Sequence, residues 1–243
     1  FVTAEYVETT GDESILHEEE PFVVGDPLEP EEAERYAHWA KTAEGYTIFE
    51  HCCRAIDRGN TAGPHGLPLM GGGDWNDGMN RVGIEGRGES VWLGWFLYTT
   101  LKRFAPLCEK LGDRERARRY RERARELQAA LETHAWDGEW YLRAFYDDGS
   151  PLGSAQNREC QIDSLAQSWA VLSGAGDAGR ARQAMEAVAQ RLVMAQDQVL
   201  LLFTPPFDRT PRDPGYIKGY PPGIRENGGQ YTHAALWAVW AFA

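Results

Sequence analysis

Between Gly71 and Asn80 the chain reads Gly-Gly-Gly-Asp-Trp-Asn-Asp-Gly-Met-Asn, which sets Asp74, Trp75, Asn76 and Asp77 among glycines that disfavour helix and strand alike. Such a stretch forms a loop whose backbone can approach a ligand closely. An indole stacks on a sugar ring and a carboxyl moves a proton, so these residue types suit an active-site loop for a saccharide. A plain surface turn accounts for the glycines and acids but leaves Trp75 in solvent without a reason. A calcium loop counted from Asp74 puts Glu85 at its last position, yet Gly78 stands where a ligand is needed and Met79 where the turn glycine belongs. Calcium is discounted on that ground.

A second polar stretch runs Lys-Gly-Tyr-Pro-Pro-Gly-Ile-Arg-Glu-Asn-Gly-Gly-Gln-Tyr-Thr-His from Lys218 to His233 and opens an apolar segment that reaches Ala243. A helix start offers unpaired amides and the positive end of a dipole. With His233 in its first turns and Arg225 nearby in sequence, this one suits an oxyanion such as phosphate. Taken singly, His233 reads as a core histidine, and Lys218 and Arg225 as solvated turn residues. Their combination after a glycine pair is what points to a site.

The elements that must hold these loops are helical. Glu89 to Leu111 is apolar nearly all round, the pattern of a helix surrounded by protein, whereas Asp113 to Thr133 has one apolar stripe of Ala117, Tyr120, Ala124, Leu127 and Leu131 among arginines and glutamates. The alternation repeats with Ile162 to Leu172, mostly apolar, and Asp177 to Val193, amphipathic; Gln230 to Ala243 is again almost wholly apolar, a buried helix by this pattern. Upstream, Phe1 to Thr9, Glu13 to Glu19, Glu31 to Ala40 and Thr47 to Arg58 carry helical spacing, with Pro21 to Pro30 as an extended acidic loop. Trp136 to Phe145 and Val199 to Phe207 predict short strands or extended loops at the rim of one end. Hairpins with a buried first helix and an amphipathic second can close into an α/α toroid with long loops at one end, although an irregular helical bundle has the same periodicities. In the toroid both loops emerge together, so Asp74, Trp75, Asp77, Glu226 and His233 are expected to share a cleft.

At 243 residues the chain can bury a substantial core as one domain, and 37 acidic against 25 basic residues argues against nucleic acid or an anionic membrane as the main partner. Neither a signal peptide nor an apolar run of membrane-spanning length is present. Cys52, Cys53, Cys108 and Cys160 have no metal-ligand spacing and are expected as free thiols. The chain opens at Phe1 and stops within an apolar run, which reads as a soluble fragment of something longer.

Gly73 to Gly78, Gly-Glu-Ser-Val-Trp-Leu from Gly88 to Leu93, and Glu226 to Gly229 before His233 together resemble glycoside hydrolase family 94, which contains the inverting phosphorylases of cellobiose, cellodextrins and chitobiose. The fuller runs His65 to Gly94, Arg158 to Gly174 and Tyr216 to Ala235 are closer still to the phosphorylase-like domain that ends bacterial cyclic β-1,2-glucan synthases. The resemblance covers almost the whole chain. It implies an all-α fold in which residues 1–243 are one domain, a fragment of an (α/α)6 catalytic barrel. It further implies that Asp77 is the general acid and that Trp75, Asp74, Arg225 and Glu226 contact sugar. His233 is then the phosphate contact. Arg225 is lysine in some relatives, which keeps the charge and alters the geometry.

The implied reaction is phosphorolysis of β-linked glucans, β-1,2-gluco-oligosaccharides above all, giving α-glucose 1-phosphate within cyclic β-1,2-glucan synthesis and chain-length control. Phosphate is already an anion and attacks the anomeric carbon without a second catalytic carboxylate, so one acid and an anion site suffice. No cofactor and no metal is implied beyond phosphate as co-substrate. The implied partners are the glucan and the rest of a larger membrane polypeptide, on the cytoplasmic side of a bacterial inner membrane. Two other readings stand beside it: an inverting hydrolase with Asp77 and Glu226 as acid and base, and a silent domain that only holds glucan. Family members also carry sugar-contacting Arg and Asp residues before the position of Phe1 and a Thr-Gly phosphate contact after Ala243. The piece alone is therefore expected to be inactive, with an exposed apolar seam that favours self-association.

Overall fold

The computed structural model describes residues 1–29, 32 and 35–243. Within them lie seven α-helices: α1 (Val2–Thr10), α2 (Ile48–Gly59), α3 (Val91–Lys110), α4 (Arg114–His134), α5 (Ser164–Leu172), α6 (Ala178–Arg191) and α7 (Thr232–Phe242). Helix α3 packs on α1 and α5, and α5 on α7, so the odd-numbered helices lie side by side in chain order. On them sit α2 and α4 against α3, and α6 against α5. This is the inner and outer alternation expected of an α/α barrel, here as part of one.

Burial explains the sorting. In α5 every residue from Ser164 to Ala170 is buried, whereas α4 buries only Ala117, Tyr120, Ala124, Leu127 and Leu131, the stripe visible in the sequence. Side-chain caps set most helix starts: the Thr47 and Glu50 capping box for α2, then Ser90, Asp113, Asp163 and Asp177 for α3 to α6. Helix α7 has the apolar pattern of a buried helix and shows the exposed apolar seam expected of Gln230 to Ala243. Only Ala234 and Ala238 are buried, and Leu236, Val239 and Trp240 are each about 60% exposed. Its apolar outer face has no neighbour among the described residues. The four cysteines are free thiols, three of them buried.

The nine strands among the described residues are short and all pair antiparallel. The first two, β1 (Glu19–Val24) and β2 (Ala40–Thr47), form a ribbon with a bulge between Pro21 and Val23. This corrects two expectations: Pro21 to Pro30 begins in a strand rather than a loop, and the helix expected over Glu31 to Ala40 is not formed by residues 32 and 35–39, which lead into β2 at Ala40. The rest of that expected helix lies outside the described residues. The ribbon rests on α2, with the Arg54 guanidinium over the rings of Phe22 and Tyr46.

The remaining strands staple the loops that precede the inner helices. Strands β3 (Glu89–Ser90), β4 (Ala144–Phe145) and β5 (Pro151–Leu152) make one sheet. Strand β6 (Ile162–Asp163) pairs with β9 (Phe203–Thr204), and β7 (Val193–Met194) with β8 (Val199–Leu200). Because β3 runs directly into α3 and β6 into α5, these sheets mark the end of the helical body where the inner helices start. The two polar stretches singled out in the sequence meet there.

Candidate active site

Two carboxylates, the buried Glu89 and the half-buried Asp147, pin the long loop before α3. Glu89, 1% exposed, accepts from the backbone N–H groups of His65 and Leu67, each at 3.0 Å, and Asp147 accepts from those of Glu85, Arg87 and Gly88 at 2.8 to 2.9 Å. Burial alone would raise the Asp147 carboxyl, but three amide donors outweigh it and hold the group below its ordinary value. Between these anchors Asp74 receives the fork of Arg143, whose two terminal nitrogens lie 2.6 and 2.7 Å from the two carboxylate oxygens. Ser90 Oγ donates to Asp74 at 2.5 Å and the Asn76 N–H at 3.0 Å. The Arg143 charge overcomes the burial penalty and keeps the Asp74 carboxyl low.

Side chains along this loop therefore alternate. Asp74 and Asn76 point into the protein, at 0% and 1% exposure, while Trp75 and Asp77 line a cavity. Asp74 was expected to contact sugar. Its carboxylate instead faces away from the cleft, because every strong donor near it comes from beneath.

The second loop is held by Asn227, fully buried, whose amide accepts from the Phe207 N–H at 2.8 Å and donates to the carbonyls of Phe207 and Tyr220. The two loops dock through Asn80 and Gly215. The Arg81 N–H reaches Pro214 O at 3.3 Å, and Asn80 Oδ1 accepts from the Tyr216 N–H at 3.2 Å. Only glycine fits at 215, where φ is +119° and a Cβ would stand 2.2 Å from Asn80 Oδ1.

The result is a cavity of about 250 Å³ lined by Trp75, Asp77, Glu226, Tyr231 and His233. Residues from both sequence stretches share it. Trp75 Nε1 donates to His233 Nδ1 at 2.7 Å, so Nδ1 is the acceptor and Nε2 is left free to donate to a ligand. Trp237, one turn along α7, packs 4.2 Å from His233 and 6.0 Å from Trp75, and through it the cluster reaches Trp169 of α5 and Trp92 of α3. The tryptophans are thus both core and cleft lining. Helix α7 also lacks the side-chain cap that α2 to α6 possess, which leaves its first-turn amides uncapped beside His233.

Glu226, 8% exposed, has its Oε2 3.2 Å from Arg225 Nε, and its charge, ahead of burial and hydrogen bonding, raises the Tyr231 hydroxyl. Burial and then a hydrogen bond with Asp77 raise the Tyr216 hydroxyl. Arg225 is set slightly apart. Its guanidinium lies 4.6 Å above the Tyr220 ring, and the residue lines a wider groove with Tyr231, Thr232, His233 and Leu236. Lys218 is spent on the Thr210 carbonyl at 2.6 Å and takes no part. Sequence reasoning did not single out Arg143, Tyr216, Tyr231 or Asn227. A lone charge inside the apolar run Tyr141 to Phe145 was the one available signal for Arg143.

Chemically, the cavity offers a carboxyl, a stacking indole, a second carboxylate and a histidine donor. Among the described residues no three His, Cys, Asp or Glu side chains gather as a metal site. None of the helices is long and apolar enough to cross a membrane among those residues.

Comparison with known proteins gives the family. Residues 1–243 match the description "Glycosyl hydrolase 94 superfamily, catalytic domain". The chain is 52% identical over 241 residues to cyclic β-(1,2)-glucan synthase NdvB of Rhizobium meliloti, covering 99% of this chain and 8% of that protein. It is 36% identical to the 3-O-β-D-glucopyranosyl-β-D-glucuronide phosphorylase of Paenibacillus borealis, covering 86% of this chain and 27% of that one. Solabiose phosphorylase of the same organism is 34% identical, with 96% and 28% covered. The chain thus spans less than a third of each of these relatives.

Proposed function

The chain belongs to the glycosyl hydrolase 94 superfamily, and from that premise we propose that it carries the acid loop and the anion-facing helix start for inverting phosphorolysis of β-linked glucans. Asp77 protonates the departing glycosidic oxygen while phosphate, held by His233 Nε2 and the first amides of α7, attacks the anomeric carbon from the opposite face. The product is α-glucose 1-phosphate. Trp75 stacks on the sugar whose bond is cleaved, and Glu226 and Arg225 contact its hydroxyls. The observation that carries the reading is the single cavity shared by Trp75, Asp77, Glu226 and His233, two loops apart in sequence.

Identity to a β-(1,2)-glucan synthase exceeds identity to either phosphorylase by more than fifteen percentage points, which favours β-1,2-gluco-oligosaccharides as substrate and a role in trimming or sizing such chains. A hydrolase reading needs Glu226 free to activate water. Its pairing with Arg225 and its contact with Tyr231 favour a sugar contact instead. The test uses the protein expressed from its complete coding sequence, incubated with β-1,2-gluco-oligosaccharides with and without inorganic phosphate. Sugar phosphate release only when phosphate is present supports the proposal. Free glucose at an equal rate without phosphate overturns it in favour of the hydrolase, and silence on all β-glucans favours a holding domain.

A further inference from the structure

Arg143 lies outside both loops, and its side chain is 0% exposed. Taking a guanidinium out of water is costly, and a well-packed apolar side chain in the same volume is often as stable or better, so its presence under an active-site loop calls for a specific task. We propose that Arg143 is a positioning residue that sets the acid Asp77 against the scissile bond, acting through Asp74; the proposal rests on the reading of Asp77 as proton donor.

The path is short. The Arg143 backbone is itself fixed, its N–H on Leu152 O at 2.8 Å and its carbonyl accepting from Val91 N at 3.2 Å. Its fork binds both oxygens of Asp74, which fixes the plane of that carboxylate as well as its position. Ser90, the N-cap of α3, ties the same carboxylate to an inner helix. Asp163, the N-cap of α5, faces Arg143 Nε at 3.3 Å, so the guanidinium is keyed to the starts of two inner helices at once. From Asp74 the link to the acid is local. Its Oδ1 accepts the Asn76 N–H, an Asx turn that bends the chain so that Asp77 starts the 3₁₀ turn Asp77–Met79. The loop folds tightly back on itself there: Gly73 has φ +124°, and a Cβ on it would meet Asp77 Cα at 3.0 Å. A shift of the Asp74 carboxylate is therefore passed to the Asp77 backbone without slack.

The test separates positioning from simple support of the fold by leaving-group dependence. Arg143→Lys and Asp74→Asn are made in the protein expressed from its complete coding sequence; the second keeps shape and serves if the first does not fold. Each is assayed with phosphate on a β-1,2-gluco-oligosaccharide, whose leaving group needs the proton, and on β-glucosyl fluoride, whose leaving group needs little help. A reacting group displaced by about 1 Å loses roughly 100-fold. The expected result is a kcat on the oligosaccharide lower by a factor of that order, with KM and the fluoride rate within about threefold of the parent. Equal losses on both substrates, in whichever variant folds, mean that Arg143 only supports the fold and overturn the proposal. Unchanged rates on both overturn it as well, and failure of both variants to fold assigns the cluster to stability and does the same. If the unmodified protein turns over neither substrate with phosphate, the functional reading itself falls, which is a different outcome from a parent that is active and variants that do not discriminate.

Discussion

Substituting Asp163 by asparagine should stabilise the protein at neutral pH, and by an amount that depends on pH in a defined way. Arg143 is shared by two buried carboxylates, and it satisfies Asp74 with its fork while meeting Asp163 only edge-on at 3.3 Å. Burial pushes the Asp163 carboxyl up from 3.8 to about 6, against the pull of Arg143 and with the Asp74 charge adding to the rise. A carboxyl whose folded pKa is raised binds its proton more tightly in the native state. Its contribution to stability is full below pH 3.8 and is lost as pH rises through about 6. Two pKa units at about 1.36 kcal/mol each give about 3 kcal/mol lost by pH 8. Asparagine mimics the protonated acid and can keep the cap on Leu165, so the variant does not lose that amount. Denaturant unfolding followed by tryptophan fluorescence from pH 4 to 8, taken as the difference between the two proteins, cancels every other titrating group. The difference should be near zero at pH 4 and reach about 3 kcal/mol in favour of asparagine at pH 8. A flat difference, or a variant less stable at pH 8, would refute the reasoning and show that Arg143 needs both charges.

Three further outcomes are expected at the cleft and on the surface. Asp77→Asn should lower phosphorolysis of natural glucan by about 100-fold to 10,000-fold with little loss of binding, and lower the rate on substrates with good leaving groups far less; an unchanged rate on glucan names another acid. Trp75→Phe keeps a stacking ring and removes the N–H that meets His233. One such hydrogen bond is worth about 0.5 to 1.5 kcal/mol, so the KM for phosphate should rise about 2-fold to 13-fold, as steady-state kinetics against phosphate will read. Leu236→Ser combined with Trp240→Ser should reduce self-association of the 243-residue chain in sedimentation, since both side chains stand about 60% exposed on α7; a parent chain that sediments as a monomer at high concentration contradicts this.

What the sequence made legible was what burial dictates locally. The stripe of α4, the all-round apolar pattern of α3 and α5, and the cap residues Asp113 and Asp177 each follow from contacts within a few residues, and they sufficed for the inner and outer alternation. The ribbon of β1 and β2 was not legible because most of its residues are exposed or half-buried on both faces, so no period of two is written into Glu19–Val24 or Ala40–Thr47. The direction in which the Asp74 carboxylate points was not legible for a related reason. Its partner Arg143 is 69 residues away, and residue type alone does not reveal which side of a loop a carboxylate faces. Arg225 and Lys218 show the limit of counting charges near a helix start, since one stacks on Tyr220 and the other is used up on a loop carbonyl.

The alternation of inward and outward side chains from Asp74 to Asp77 has a consequence for how such a motif can change over evolutionary time. Asp74 and Asn76 answer to the scaffold, and Trp75 and Asp77 to whatever occupies the cavity. Selection on stability and selection on chemistry therefore act on interleaved positions of one tetrapeptide. The outward pair can change with a new substrate or a new reaction, Trp75 only together with its contacts to His233 and Trp237, while Asp74 can drift only together with Arg143 and Ser90. A loop built this way is a socket whose pins can be replaced.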